Sequence, residues 1–155
     1  MKSLIVYDSQ YGNTKKIAQA ITSSLKSAGR ALAIHASDVQ AGDISGTNLL
    51  VVGSPTQRLT ATPAVLGWIQ TLPKGSLEGV RAAAFDTRFT QEHISSIKVL
   101  PFFVKIFGYA AKPIAGRLEK KGAEIIAPAE GFYVLDTEGP LLNQELERAA
   151  RWAES

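Results

Sequence analysis

The opening of the chain contains the feature that most constrains its fold. An apolar run, Leu4–Tyr7, predicts a strand, and the polar residues Asp8–Asn13 after it predict a short loop. Ile17, Ala18 and Ile21 then recur at the spacing of one helix face. Such a turn exposes the first backbone N–H groups of the helix, which have no partner within the helix and carry partial positive charge. The pattern therefore predicts a site for phosphate or another anion.

The predicted loop is rich in groups that suit a polar ligand. It offers hydroxyls, amides and a glycine that tolerates positive φ, and the residues concerned are Ser9, Gln10, Tyr11, Gly12, Asn13 and Thr14. An ordinary strand-to-helix turn is the alternative interpretation, because Ser, Asn and Thr cap helices whatever the function of the protein.

Strands and helices alternate along the whole chain. The predicted strands are Leu4–Tyr7, Ala31–Ala36, Asn48–Gly53, Val80–Phe85 and a last strand broken near Pro128, made of Glu124–Ile126 and Gly131–Leu135. The predicted helices are Thr14–Ala28, Pro63–Leu72, Lys112–Lys121 and Leu141–Ala153. This alternation predicts one α/β domain over residues 1–155, built on a doubly wound parallel sheet. Ligands of such sheets lie at the carboxyl ends of the strands, so the loops Asp8–Asn13, Ser54–Thr60 and Asp86–Thr90 should converge.

The opening run resembles the signature of the flavodoxin family. That signature is apolar-apolar-aromatic, then Ser-x-x-Gly-x-Thr, then Ala and an apolar residue; here the residues are Ile5, Val6, Tyr7, Ser9, Gly12, Thr14, Ala18 and Ile21. Residues 53–57, Gly-Ser-Pro-Thr-Gln, resemble the turn that this family places beside the flavin ring. The resemblance covers essentially the whole chain. It implies a five-stranded sheet of order 2-1-3-4-5 with helices on both faces, FMN as the cofactor, and a redox function.

The resemblance also implies a set of cofactor-binding residues. The first loop, Ser9 to Thr14, would wrap the phosphate of FMN, and the second would contact the ring through Ser54, Pro55, Thr56 and Gln57. The third, Asp86, Thr87, Arg88 and Phe89, departs from the Gly-rich or aromatic sequence that is usual in the family. Phe89 either stacks on the ring or packs into the core. Arg88 is expected at the pyrimidine end, where its charge would make the flavin potentials less negative, and Asp86 is expected to accept a hydrogen bond from the ring N–H.

An apolar, insertion-like segment follows at about residues 90–109. It is dense in large apolar side chains between Val99 and Tyr109, with Lys98 and Lys105 among them. Packing over the sheet as an extra helix is one interpretation. The other is an exposed patch that mediates a homodimer, a partner contact or a membrane-surface contact. The placement loosely resembles the insertion of flavodoxin-like protoporphyrinogen oxidases.

Composition excludes several classes of function. The net charge of +3 is small and dispersed, with no arginine-rich tract, so nucleic acid is not an expected partner. The chain has no cysteine, and it begins directly with a strand, which leaves no room for a signal peptide and favours the cytoplasm. No stretch is apolar enough for a membrane span. The small carrier flavodoxins are usually acidic, so this basic chain departs from them.

The remaining polar residues suggest little chemistry. His35 is expected to be half-buried in an edge strand, His93 is a candidate proton donor near the flavin edge, and Trp68 is expected in the core. Asp136, Thr137 and Glu138 most simply cap the last helix. No metal-ligand spacing is present.

Three functions remain open at this point. The chain is a one-electron carrier for a redox partner protein, an FMN enzyme of quinone-reductase or protoporphyrinogen-oxidase type that acts on a small organic molecule, or a flavin-free interaction module. A signalling receiver domain is strongly disfavoured, because Gly53-Ser54 stands where a phosphoacceptor Asp would end the third strand.

Overall fold

A computed structural model describes residues 1–57, 59–90 and 109–155 of the chain. The strands are β1 (Lys2–Tyr7), β2 (Arg30–His35), β3 (Leu49–Pro55), β4 (Arg81–Phe89), β5 (Glu124–Ile125) and β6 (Glu130–Val134). The α-helices are α1 (Asn13–Leu25), α2 (Ala41–Ile44), α3 (Pro63–Thr71), α4 (Ala111–Lys120) and α5 (Glu145–Glu154). Short 3-10 turns at Lys26–Ala28 and Ala36–Asp38 follow α1 and β2.

The strands form one parallel sheet in the order β2-β1-β3-β4-β5, and β6 also pairs with β4. This arrangement confirms the predicted doubly wound sheet and its order. The long strand β4 pairs with β5 through Arg81 and Ala82, and with β6 through Phe85–Phe89. The last strand position is therefore filled by two short segments, as the break near Pro128 predicted.

Alternating side chains of the sheet supply two cores, one on each face. On one face, Leu4, Val6, Leu50 and Val52 pack with side chains of α3 and α4, including Trp68, Ile69, Ile114 and Leu118. On the other face, Ile5, Val51 and Phe85 pack with side chains of α1, β6 and α5, including Ile17, Ile21, Phe132 and Ala149. Strands β1 and β3 carry buried side chains on both faces of the sheet, so both faces are covered by helices. Trp68 lies in the core, as predicted.

Two predicted boundaries were wrong, and both bear on the site. Strand β4 does not end at Phe85 but continues through Phe89. The added residues, Asp86–Phe89, each pair with a residue of β6. The predicted loop Asp86–Thr90 is therefore mostly strand. Helix α5 begins at Glu145 rather than Leu141, because Leu141 bridges to Val134 and Gln144 has a φ of 67°. Asp136, Thr137 and Glu138 consequently do not cap the last helix.

The apolar segment at about residues 90–109 has only its two ends, Thr90 and Tyr109, within the described residues. The predictions of a packed helix or an association surface at Val99–Tyr109 therefore lie outside the described residues, as does the suggested role of His93. Within the part of the chain that the structure describes, no helix is both long and apolar enough to cross a membrane.

Gly53 is expected to be irreplaceable, because a Cβ there would lie 2.0 Å from the ring of Phe85. Phe85 is fully buried and is held edge-on by the rings of Phe132 and Trp152 at 5.9 and 6.3 Å. We expect Gly53→Ala to lower the free energy of unfolding by about 1–3 kcal/mol or more, as overpacked cores do. The matched control is Gly67→Ala in α3, where an added Cβ meets nothing within 4 Å. That change should stabilise the helix by about 0.5–1 kcal/mol. Thermal unfolding measures both, and an unchanged melting temperature for Gly53→Ala would contradict this packing.

Candidate functional site

A cavity opens at the carboxyl-terminal edge of the sheet, where five segments of the chain meet. The first loop and the start of α1 contribute Ser9, Gln10, Tyr11, Asn13 and Thr14, and the end of β3 with the loop after it contributes Pro55, Thr56, Gln57 and Leu59. The other lining residues are Thr87, Arg88 and Phe89 from β4, Tyr109 from the chain before α4, and Val134 and Thr137 from β6 and the loop after it. The structure thus brings together the predicted site residues, with three exceptions. These exceptions are Gly12, Ser54 and Asp86, which do not line the cavity.

The first loop folds back on the start of α1. The Ser9 hydroxyl oxygen accepts hydrogen bonds from the backbone N–H groups of Gly12 at 3.1 Å and Lys15 at 3.3 Å. Gly12 precedes the helix with a φ of 92°, a left-handed conformation that glycine adopts without strain. This geometry places the helix N-terminus, with its partial positive charge, at the cavity. Gly12 therefore contributes through its backbone conformation.

The side chain of Thr14 joins the first loop to β4. Thr14 is 1% exposed, and its hydroxyl lies 2.8 Å from the hydroxyl of Thr87. Both residues also line the cavity. A pair of hydroxyls can turn its free donor or acceptor capacity toward a ligand, because hydroxyl hydrogens rotate to suit their partners.

Ser54 holds the backbone of the second loop through two hydrogen bonds. Its buried hydroxyl donates to the Pro55 carbonyl at 2.8 Å and accepts from the Thr62 N–H at 2.9 Å. The second loop contacts β4 through the Thr56 N–H, which donates a hydrogen bond to the Thr87 carbonyl at 3.0 Å. It contacts the first loop through the Gln57 side-chain amide, which donates a hydrogen bond to the side chain of Gln10. The first and second loops are thus fixed against each other across the cavity.

Asp86 and Arg88 form a bidentate ion pair beneath the cavity. The guanidinium donates to both carboxylate oxygens, at 2.6 and 2.7 Å, and the Ala111 N–H donates to the same carboxylate at 2.9 Å. Asp86 is fully buried, and burial raises its pKa, against the opposing effect of Arg88 and the Ala111 N–H. Because this carboxylate faces Arg88 and α4, its position does not fit the predicted hydrogen bond to a ring N–H.

Arg88 reaches the cavity as half of this ion pair. Its guanidinium carbon lies 3.8 Å from the centroid of the Tyr109 ring, a cation–π contact. Gly131 leaves room for it, since a Cβ at Gly131 would lie 2.1 Å from the Arg88 Nε. The neighbouring carboxylate offsets the positive charge of Arg88. The effect of Arg88 on a flavin potential is therefore expected to be smaller than that of a lone cation.

Sequence reasoning missed four lining residues: Leu59, Tyr109, Val134 and Thr137. Val134 and Thr137 could have been predicted, because ligands of such sheets lie at the carboxyl ends of the strands and β6 ends at the same edge as β4. Tyr109 was assigned to the apolar segment as a whole. Phe89 is only partly buried and lines the cavity, so it is not enclosed in the core.

His35 and Asp8 form a second polar pair close to the first loop. Their side chains meet at 2.8 Å, and His35 is partly exposed, as predicted. Partial burial raises the pKa of Asp8, but hydrogen bonds from Thr62, His35 and the Ser9 N–H outweigh it and lower the pKa overall. Among the described residues, no cluster of His, Cys, Asp or Glu side chains has a geometry that would hold a metal ion.

Comparison with known proteins identifies the family. The family model described as Flavodoxin matches residues 5–148, whereas no curated protein matches the chain. A flavodoxin from the domain Archaea is 20% identical, with a TM-score of 0.71 over 99% of this chain and 94% of the other. Flavodoxin 1 from Bacillus cereus is 16% identical, with a TM-score of 0.75 over 99% and 95% of the two chains. The rubredoxin oxygen:oxidoreductase of Desulfovibrio gigas is 20% identical, with a TM-score of 0.72, and the match covers 99% of this chain but 34% of that longer one. These solved structures share the fold, and the match of the family model to nearly all of the sequence shows that the chain belongs to the flavodoxin family.

Proposed function

We propose that this chain is an FMN-dependent redox protein that passes two electrons to a small organic acceptor stacked against one face of the flavin. Proteins of the flavodoxin family bind FMN, which supplies one- or two-electron redox chemistry when it is bound. The acceptor and the two-electron step are the proposed part.

The lining of the cavity suits both parts of FMN. The N-terminus of α1 and the hydroxyls of Ser9 and Thr14 suit a phosphate dianion. The aromatic rings of Tyr11, Phe89 and Tyr109 and the side chain of Leu59 suit a planar, largely apolar ring system. The residues that are present therefore match the two chemical halves of the cofactor.

The observation that supports an organic acceptor is the uneven distribution of aromatic side chains around the cavity. Phe89 and Tyr109 come from β4 and the chain before α4, and a third ring of the described lining, Tyr11, comes from the first loop. The second loop contributes Pro55, Thr56, Gln57 and Leu59 to the described lining, and none of these is aromatic. A flavin face without an aromatic cover leaves room for a planar acceptor to stack, and close stacking suits transfer of an electron pair.

The basic character of the chain supports the same choice. Its formal net charge is +3, and the ion pair of Asp86 and Arg88 adds little net charge beside the cavity. An acidic surface around a flavin disfavours an anionic reduced cofactor, and a basic one does not. Low-potential shuttling between proteins therefore has less physical support than reduction of a small molecule such as a quinone.

We expect a bulky substitution in the second loop to block the acceptor selectively. Gln57→Trp would fill the side of the cavity that lacks an aromatic ring, and should slow the reduction of menadione by the photoreduced holoprotein about tenfold or more, through lost stacking geometry. The reaction with ferricyanide, which needs no stacking, should change little. Anaerobic stopped-flow absorbance measures both rates.

Gln70→Trp on the exposed side of α3, away from the cavity, is the matched control for this experiment. Equal rates for wild type and Gln57→Trp with menadione would contradict the proposed acceptor face. Faster electron transfer to a one-electron protein acceptor than to menadione would instead support a carrier. A purified protein that is colourless and binds no added FMN would support the flavin-free interaction module.

A further inference from the structure

We propose that the loop of residues 135–140, between β6 and α5, is a fourth part of the cofactor site, in which Thr137 contacts the phosphate end of FMN and Asn13 positions the loop. This inference rests on FMN binding and is independent of the proposed acceptor. It assigns Asn13 a different role from the one that the sequence suggested, because Asn13 acts here through Thr137.

The loop is docked directly onto the first turn of α1. The side-chain amide of Asn13 donates a hydrogen bond to the carbonyl of Glu138 at 3.1 Å, across 125 positions of sequence. Asn13 is only 8% exposed, so its amide is committed to this contact in a largely buried position. Gly139 allows the approach, because a Cβ there would lie 2.7 Å from the Asn13 amide nitrogen, and its φ of 101° disfavours any other residue.

The loop is also ordered by its own hydrogen bonds. The Thr137 N–H donates to the carboxylate of Asp136 at 2.7 Å, and the Gly139 N–H donates to the Asp136 carbonyl at 2.9 Å. The Leu135 N–H donates to the Pro140 carbonyl at 2.9 Å and closes the base of the loop. These contacts hold the backbone on both sides of Thr137.

Thr137 is the residue of this loop that the docking brings to the cavity. It lines the cavity together with Asn13 and Thr14, the first residues of the helix whose N-terminus favours an anion. Its neighbour Glu138 is the residue that Asn13 contacts, so Thr137 lies close to the start of α1, where the phosphate is proposed to bind. A hydroxyl there can donate to a phosphate oxygen, and such charge-assisted bonds are among the stronger hydrogen bonds in proteins.

Comparing FMN with riboflavin tests the assignment, since the two ligands differ only in the phosphate. We expect Thr137→Val to raise the FMN dissociation constant about tenfold or more and to leave that of riboflavin unchanged. Titration of the full-length apoprotein, followed by quenching of flavin fluorescence, measures both constants. Thr137→Ser keeps the hydroxyl and should restore FMN affinity. Thr71→Val makes the same change in α3, outside the cavity, and should not weaken FMN binding.

A double-mutant cycle separates the positioning role of Asn13 from direct binding. If Asn13 acts by holding Thr137 in place, Asn13→Ala alone should weaken FMN about as much as Thr137→Val. The double variant should then be little worse than either single variant. Additive losses would show that Asn13 is itself a phosphate ligand and would overturn its positioning role.

Two further results would overturn the proposal at Thr137. One is an unchanged FMN constant in Thr137→Val. The other is an equal loss for FMN and riboflavin, which would place Thr137 away from the phosphate. In either case wild-type FMN binding would remain intact. Failure of this inference is therefore distinguishable from failure of the cofactor assignment, in which the wild-type protein itself would bind no FMN.

Discussion

Replacing Ser9 by Ala and Thr14 by Val together is expected to raise the FMN dissociation constant at least about 100-fold. In the proposed site each hydroxyl donates to the phosphate dianion, and a hydrogen bond to a charged group contributes about 1.5–3 kcal/mol. The loss of Ser9 also removes the acceptor that orders the N–H groups of Gly12 and Lys15. Riboflavin lacks the phosphate, so its weaker binding should change far less. Fluorescence titration with both flavins measures the difference.

A matched pair of substitutions guards against a general loss of stability. Ser27→Ala with Thr71→Val changes the same residue types outside the cavity, where each hydroxyl donates to a nearby backbone carbonyl, that of Ser24 or Trp68. This control should bind FMN as the wild type does. If the Ser9 and Thr14 variant also retained wild-type affinity for FMN, the phosphate would have to lie elsewhere than at the start of α1.

The sheet and the first loop were predictable because both depend on local sequence. Apolar strands buried on both faces have a signature that is independent of the rest of the chain, as β1 and β3 show. The turn at Gly12 similarly combines its glycine with hydroxyl residues within a few positions. Local patterns do not say which strands are neighbours. The order of the strands in the sheet was therefore predicted from the family resemblance.

The rest of the site depends on pairing across long sequence separations. Asp86, Thr87 and Arg88 have the composition of a loop, yet they form a strand because β6, more than forty positions later, supplies backbone partners. The place of Thr137 depends on Asn13, which lies 124 positions before it in the sequence. No local pattern carries such information. Residues 136–138 have the composition of a helix cap, but the last helix begins seven positions after Glu138, at Glu145.

The ion pair of Asp86 and Arg88 shows that a contact between residues close in the sequence can depend on burial that the sequence does not reveal. A sequence with Asp and Arg two positions apart in a strand places both side chains on one face, but does not say whether they are buried. The structure buries Asp86 completely and leaves Arg88 as its countercharge, beside Gly131 and the ring of Tyr109. Arg88 thus has a structural role that exists whether or not a flavin is bound.

We therefore expect Arg88→Met to lower the free energy of unfolding at neutral pH by about 3–5 kcal/mol, because it leaves a buried carboxylate without its partner. Asp86→Asn with Arg88→Met removes both charges while keeping an acceptor for the Ala111 N–H, and should restore much of the stability. Chemical denaturation of the three proteins gives the comparison.

The pH dependence of this loss provides an independent test. Burial already raises the pKa of Asp86 above its ordinary value of 3.8, and without the opposing hydrogen bonds of Arg88 that pKa should rise further. A carboxyl group whose folded pKa exceeds its unfolded pKa binds its proton more readily in the folded state. The penalty is thus complete above the folded pKa and is relieved as the pH falls through it. The stability gap between wild type and Arg88→Met should narrow from pH 7 toward about pH 5, because the pKa of Asp86 is raised more in the variant than in the wild type. The double variant has no carboxyl group at position 86, so its free energy of unfolding should lack this rise on acidification. A gap that widens on acidification would show that Asp86 remains satisfied as an anion without Arg88.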